Sequence, residues 1–74
     1  MRHSGTITRL VHQRGFGFIR EDTTGHEYFF HRSALQANTP FEGLEEGAMG
    51  GGTKVTFELG DSAKGPRAEN VAVA

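Results

Sequence analysis

Every apolar run in this chain is short, and each ends in glycine, proline or Asx/Thr turn chemistry before a helix could reach a stable length. Residues 5–12, Gly-Thr-Ile-Thr-Arg-Leu-Val-His, are rich in β-branched side chains and lack helical periodicity, which predicts a first strand. Gln13-Arg14-Gly15 supplies a turn, and Phe16-Gly17-Phe18-Ile19-Arg20 a second strand. Asp22-Thr23-Thr24-Gly25 turns the chain again, since Asp and Thr side chains bond local backbone and Gly takes positive φ. Residues 26–31 form the third strand, giving an antiparallel meander.

Beyond it, residues 33–36 have room for only a single 3₁₀ turn with Ser33 near its N-cap. Residues 37–52 carry Pro40, Gly43, Gly47 and Gly50 to Gly52, and read as a long connection anchored by Phe41 and Leu44. Val55, Phe57 and Leu59 then alternate with Lys54, Thr56 and Glu58 as a half-buried fourth strand. After a connection over 60–65, Pro66 opens a fifth strand in which Val71 and Val73 alternate with Asn70, Ala72 and Ala74.

Five short strands in 74 residues would leave exposed edges and one bare apolar face in a flat sheet, so closure is the economical solution. The expected fold is all-β: a five-stranded antiparallel Greek-key barrel, one domain over residues 1–74. The expected core is Ile7, Ile19, Tyr28 or Phe30, Leu35, Val55, Phe57, Leu59, Val71 and Val73. With no cysteine, neither disulfides nor a Cys-type zinc site can brace it. A domain of this size buries only about 60% of the surface its unfolded chain exposes, so its stability must be modest. No stretch approaches the ~20 apolar residues of a membrane span, and the first residues lack the apolar run of a secretion signal; a soluble, cytoplasmic monomer is expected.

Strand periodicity places Phe16, Phe18 and Arg20 on one face of the second strand, and Phe29 with His31 on one face of the third. The core is filled without these phenylalanines, which leaves Phe16, Phe18 and Phe29 in excess. One alternative puts Phe16 and Phe18 in the core and turns Ile7 and Ile19 to solvent. The other is a platform for nucleobases, each of which offers a π-face worth about 1–3 kcal/mol per stacked aromatic. Charge is consistent with the second. The net charge of −1 argues against grip by bulk charge, yet residues 1–20 carry +4, from Arg2, Arg9, Arg14 and Arg20, against −5 over the remainder. Arg9, Arg14, Arg20 and Arg32 lie in or beside the three aromatic strands, where guanidinium groups can meet phosphates or stack on bases.

Arg14-Gly15-Phe16-Gly17-Phe18-Ile19 matches most of the basic-Gly-aromatic-Gly-aromatic-aliphatic ribonucleoprotein signature. An RNA-recognition motif would require two helices that this chain lacks. The signature here follows Gly5-Thr6-Ile7 and precedes Tyr28-Phe29-Phe30-His31-Arg32-Ser33-Ala34-Leu35. Phe41-Glu42-Gly43-Leu44-Glu45-Glu46-Gly47, Val55-Thr56-Phe57-Glu58 and Lys64-Gly65-Pro66-Arg67-Ala68-Glu69-Asn70-Val71 complete the order. From end to end the chain resembles the cold-shock domain family. The resemblance implies an oligonucleotide-binding barrel that takes single-stranded RNA or DNA with little sequence preference, and a role as an RNA chaperone in translation or transcription. It implies stacking residues at Phe16, Phe18, Phe29, His31 and Phe41, and a phosphate contact at Lys64.

Thr8-Arg9-Leu10-Val11 stands where the family commonly has Lys-Trp-Phe-Asn, and Arg32 where it has Phe, so up to three stacking aromatics are replaced. Ala48-Met49-Gly50-Gly51-Gly52 intervenes where the family runs almost directly into the fourth strand. Gly-Ala-Met-Gly also reads as the scar of an engineered junction, so residues 48–52 are assigned no role. His3, His12, His26 and His31 have no metal-ligand spacing, and Glu42, Glu45 and Glu46 read as solvated loop acids, so neither a metal, a cofactor nor catalysis is expected. A competing reading of the aromatic face is a protein-interaction module.

Overall fold

A computed structural model describes residues 2–36, 39–47, 51–63 and 65–74. Strands β1 (His3–Val11), β2 (Phe16–Glu21), β3 (Glu27–His31), β4 (Lys54–Ser62) and β5 (Gly65–Val73) close into a barrel in the order β1-β2-β3-β5-β4. The first three strands form the expected antiparallel meander. β4 pairs antiparallel with both β1 and β5. The seam between β3 and β5 is parallel, through Phe29↔Arg67 and the bridge Leu35↔Val71, so the barrel is not antiparallel throughout as expected.

The interior holds Ile7, Ile19, Phe30, Val55, Phe57 and Val71, all fully buried, with Leu10, Phe41, Leu44 and Ala68 completing it. Of the two candidates in β3, Phe30 takes the core, while Tyr28, like Leu35, is partly buried and packs against its margin. Ile7 and Ile19 are inside, which removes the alternative that would have turned them to solvent.

Leu10 is inside because β1 is bulged. Its register to β2 runs Ile7↔Ile19 and then Arg9↔Phe18, so Thr8 is the extra residue and the side-chain alternation shifts by one. Leu10 turns inward and Arg9 outward. The Leu10 N–H, freed from regular pairing, donates to the Glu46 carboxylate at 2.7 Å. A second bulge lies in β5, where Thr56↔Ala72 is followed by Glu58↔Glu69. Asn70 sits there at φ 51°, a left-handed conformation that Asn tolerates better than most residues. Arg2 donates to its carbonyl at 2.8 Å, and its side-chain amide donates to Glu58 at 2.7 Å. Ala68 and Val71 therefore both face inward although three apart.

Two expected core residues are exposed: Leu59 at 38% and Val73 at 54%. β4 does not stop at Leu59 but continues to Ser62 and turns tightly back at Gly65, so Leu59 stands where the ribbon leaves the barrel wall. Val73 is the last residue of β5.

The connection after β3 contains 3₁₀ turns at Arg32–Ala34 and Phe41–Gly43. Residues 48–50 lie outside the described residues, but the segment leaves and re-enters the barrel at one point. The Glu45 N–H donates to Thr53 Oγ1 at 2.8 Å, the Thr53 N–H donates to the Glu45 carbonyl at 2.9 Å, and the Gly47 N–H to the Ile7 carbonyl at 3.1 Å. A Cβ on Gly47 would stand 2.2 Å from the Gly52 nitrogen, so the two backbones touch. Deleting residues 48–51 is accordingly expected to change unfolding free energy by less than about 1 kcal/mol, because loop closure depends only weakly on length. Urea denaturation checks this.

Glu21 ties the far end of β2 to β1 and to the β2–β3 turn. Its buried carboxylate lies 2.6 Å from His3 Nδ1 and accepts the Thr24 hydroxyl at 3.0 Å. The His3 hydrogen bond, then that of Thr24, holds this carboxyl below its ordinary 4.5, with smaller help from the charges of His3 and His26. The folded state thus favours the ionised form. The stability this contributes is fully present above about 4.5 and is lost as the pH falls through the folded-state value. E21Q is expected to flatten the decline in urea midpoint below that pH; an unchanged slope would show that Glu21 does not carry it.

Candidate nucleic-acid interface

The outer surface of β2 and β3 is built by simple alternation. Gly17, Ile19 and Phe30 point inward, so Phe16, Phe18, Phe29 and His31 point out. Gly17 allows the close strand approach this needs, since a Cβ there would meet the Arg9 carbonyl at 2.6 Å and the Phe30 ring at 2.9 Å. The three phenyl rings touch one another: Phe16 and Phe29 are 5.3 Å apart and tilted, while Phe18 meets Phe16 edge-on at 6.0 Å and Phe29 at 6.2 Å. Such edge-to-face contacts keep flat ring surface available to a ligand while holding each ring in place.

Register gives the face two rows. Arg9, Phe18, Phe29 and Arg67 lie side by side across β1, β2, β3 and β5, and Val11, Phe16 and His31 form the next row. His31 is fixed by the 3₁₀ turn at Arg32–Ala34: its Nδ1 accepts the Ser33 N–H at 3.1 Å and lies 2.9 Å from Ser33 Oγ. Arg32 starts from the same turn and lays its stem over Gly15, where a Cβ would come within 2.6 Å of its Cδ. Gly15 has φ 71° and donates to the Val11 carbonyl, so the turn itself requires a glycine.

Arg9, Arg14, Arg20 and Arg32 are all exposed, and among the described residues their side chains have no hydrogen-bond or ion-pair partner. The described cations elsewhere are occupied: Arg2 by Glu58, Lys54 by Asp22, and Arg67 by Glu69. Arg20 is the least favourably placed of the four, because its register partner is Glu27, whose carboxylate accepts the Thr8 hydroxyl at 3.0 Å.

Phe41 does not stand in the row. It is 6% exposed, with its ring 6.4 Å from Phe30 and edge-on to His12 at 5.4 Å. With Leu44 it closes the barrel, so its anchoring role and not its stacking role is what the structure shows. Leu10 is likewise core, which leaves Arg9 and Arg32 as the aromatic replacements on the surface. Lys64 lies outside the described residues. Arg67 was not singled out from the sequence; it is on this face only because β5 pairs with β3, a partnership that no local pattern announces.

The family model of the 'Cold-shock' DNA-binding domain matches residues 3–74. The chain belongs to the cold-shock domain family. It is 38% identical over 68 residues to cold shock protein ScoF of Streptomyces coelicolor, covering 92% of each chain. It is 39% identical over 67 residues to cold shock-like protein CspE of Escherichia coli, covering 90% of this chain and 88% of the relative. Cold shock-like protein CspA of Shewanella violacea is 38% identical over 69 residues, 93% of this chain and 90% of its own. Members of the cold-shock domain family bind nucleic acid, and the barrel order here is that of a small oligonucleotide-binding fold. No helix among the described residues is long and apolar enough to cross a membrane.

Proposed function

We propose that this cold-shock domain binds single-stranded RNA or DNA with little sequence preference and without catalysis. Phe16, Phe18, Phe29 and His31 stack bases, and Arg9, Arg14, Arg20, Arg32 and, by resemblance, Lys64 meet phosphates. The observation that carries this reading is the cluster of three mutually touching phenyl rings outside a barrel whose core is already full. Surface aromatics of this kind are an unfavourable hydrated surface until something planar covers them. Bases do so irrespective of identity, because every base has a π-face.

A domain that holds bases unpaired shifts RNA folding by mass action and consumes no ATP, which makes it an RNA chaperone acting as a monomer in the cytoplasm. Fluorescence anisotropy with labelled oligo-U and oligo-dT of about seven nucleotides tests the binding. Single strands are expected to bind at micromolar protein or below, and a duplex of similar length at least about tenfold more weakly, because its base faces are already stacked. Absence of single-strand binding at micromolar protein would overturn the reading.

A further inference from the structure

The edge of β1 that faces away from β2 has a strand partner over only part of its length. β4 begins at Lys54 and pairs with β1 from His3 to Thr6, so the long connection completes the edge beyond. Ile7 donates to the Thr53 carbonyl at 2.9 Å and accepts from the Gly47 N–H at 3.1 Å. Three residues on, the acceptor is no longer backbone: the Leu10 N–H donates to the Glu46 carboxylate at 2.7 Å. A side chain takes the place of the missing strand, and its charge makes the bond short and strong.

That bond falls beside the Thr8 bulge. The Thr8 hydroxyl is held in turn by the Phe18 carbonyl at 3.4 Å and the Glu27 carboxylate at 3.0 Å. A one-residue slip of this stretch would exchange the faces of Arg9 and Leu10, since side chains alternate along a strand. As built, Leu10 is buried and Arg9 is exposed, in register with Phe18. Glu46 is itself exposed, but its backbone is clamped on both sides. Glu45 exchanges hydrogen bonds with Thr53, Gly47 bonds Ile7, and Leu44 is anchored in the core. The carboxylate therefore reaches Leu10 from a fixed origin.

We propose that Glu46 is a positioning residue for nucleic-acid binding: by accepting the Leu10 N–H it locks the β1 bulge and so presents the Arg9 guanidinium beside Phe18. It does this without touching the bound strand. The proposal rests on the nucleic-acid-binding reading above. A carboxylate that acted on nucleic acid only through its charge would repel phosphate, and its removal would tighten binding. Acting through the backbone, Glu46 has the opposite effect, and its reach matters more than its charge.

Anisotropy with labelled oligo-dT of about seven nucleotides separates reach from charge. E46D keeps the charge but is one methylene shorter, E46Q keeps an acceptor at full reach without the charge, and E46A has neither. E46D and E46A are expected to weaken binding about three- to fivefold at about 0.1 M salt, the share of one phosphate contact at a slope of about −0.7, and to make the slope shallower accordingly. E46Q should stay within about twofold of the parent, as should E42Q, which removes the same charge from the neighbouring 3₁₀ turn. In an R9Q background E46D should have no further effect on affinity, a result that a general loss of stability would not give. Hydrogen exchange reads the bond itself: the Leu10 amide should exchange at least about tenfold faster in E46D than in the parent or E46Q, while the Ile7 amide stays protected. E46D that binds as the parent does, or that weakens R9Q as much as it weakens the parent, overturns the positioning role alone. So does a Leu10 amide that exchanges equally fast in E46D and the parent. A parent chain that binds no oligonucleotide overturns the proposed function and the positioning role together.

Discussion

F18A is expected to bind a single strand of about seven nucleotides about 1–3 kcal/mol more weakly than the parent domain, a loss of roughly five- to 150-fold, with only a small change in thermal midpoint. Phe18 is the central ring, flanked in register by Arg9 and Phe29 and touching Phe16 edge-on. Its removal takes away a stacking surface and the lateral support of both neighbours. F16A and F29A should each cost a similar amount. Because the rings touch, the F18A/F29A double variant should depart from additivity by about 0.5 kcal/mol or more, which a double-mutant cycle would measure. The fold should survive, since all three rings lie outside a core built from Ile7, Ile19, Phe30, Phe57 and their neighbours. Wild-type affinity in the triple variant F16A/F18A/F29A would sink the stacking role.

This face was legible in the sequence because a flat strand pair with strict alternation needs nothing beyond period two. Phe16, Phe18, Phe29 and His31 separate from Gly17, Ile19 and Phe30 by counting alone, and the structure keeps that separation. What counting misses are the places where the period slips. The Thr8 bulge puts Leu10 in the core and Arg9 on the surface, and the bulge at Asn70 lets Ala68 and Val71 both face inward; each depends on a partner far away, Glu46 in one case and Arg2 with Glu58 in the other. Phe41, an anchor by pattern and a stacking residue by resemblance, is a different case. A phenylalanine in a glycine-rich connection has the same local pattern whether its ring stacks on a ligand or closes a barrel, and only the vacancy beside Phe30 and Leu44 decides. The parallel seam that delivers Arg67 to Phe29 joins segments nearly forty residues apart, beyond the reach of any motif.

Affinity for a single strand is expected to fall by at least about fiftyfold between 50 and 200 mM salt, the consequence of about four arginine–phosphate contacts at a slope of about −0.7 each, before any contribution from Lys64. Arg9, Arg14, Arg20 and Arg32 are the proposed donors of those contacts, and two of them, Arg9 and Arg32, occupy surface positions where the family commonly carries Trp and Phe. The R9W/R32F variant reverses that exchange. Arg9 projects outward only because of the Thr8 bulge, so Trp at this position would extend the row beside Phe18; Phe at position 32 would lie over Gly15, where the Arg32 stem now runs. The variant should lose two charge contacts and gain two stacking surfaces. Its salt slope should therefore be shallower by about 1.4, and at 200 mM salt, where screening weakens the parent most, it should bind more tightly. A parent slope near zero would show that the arginines do not meet phosphates. A variant slope equal to the parent's would show that Arg9 and Arg32 already act by stacking their guanidinium planes on bases, in which case the exchange of aromatic for arginine preserved the platform instead of replacing it with charge.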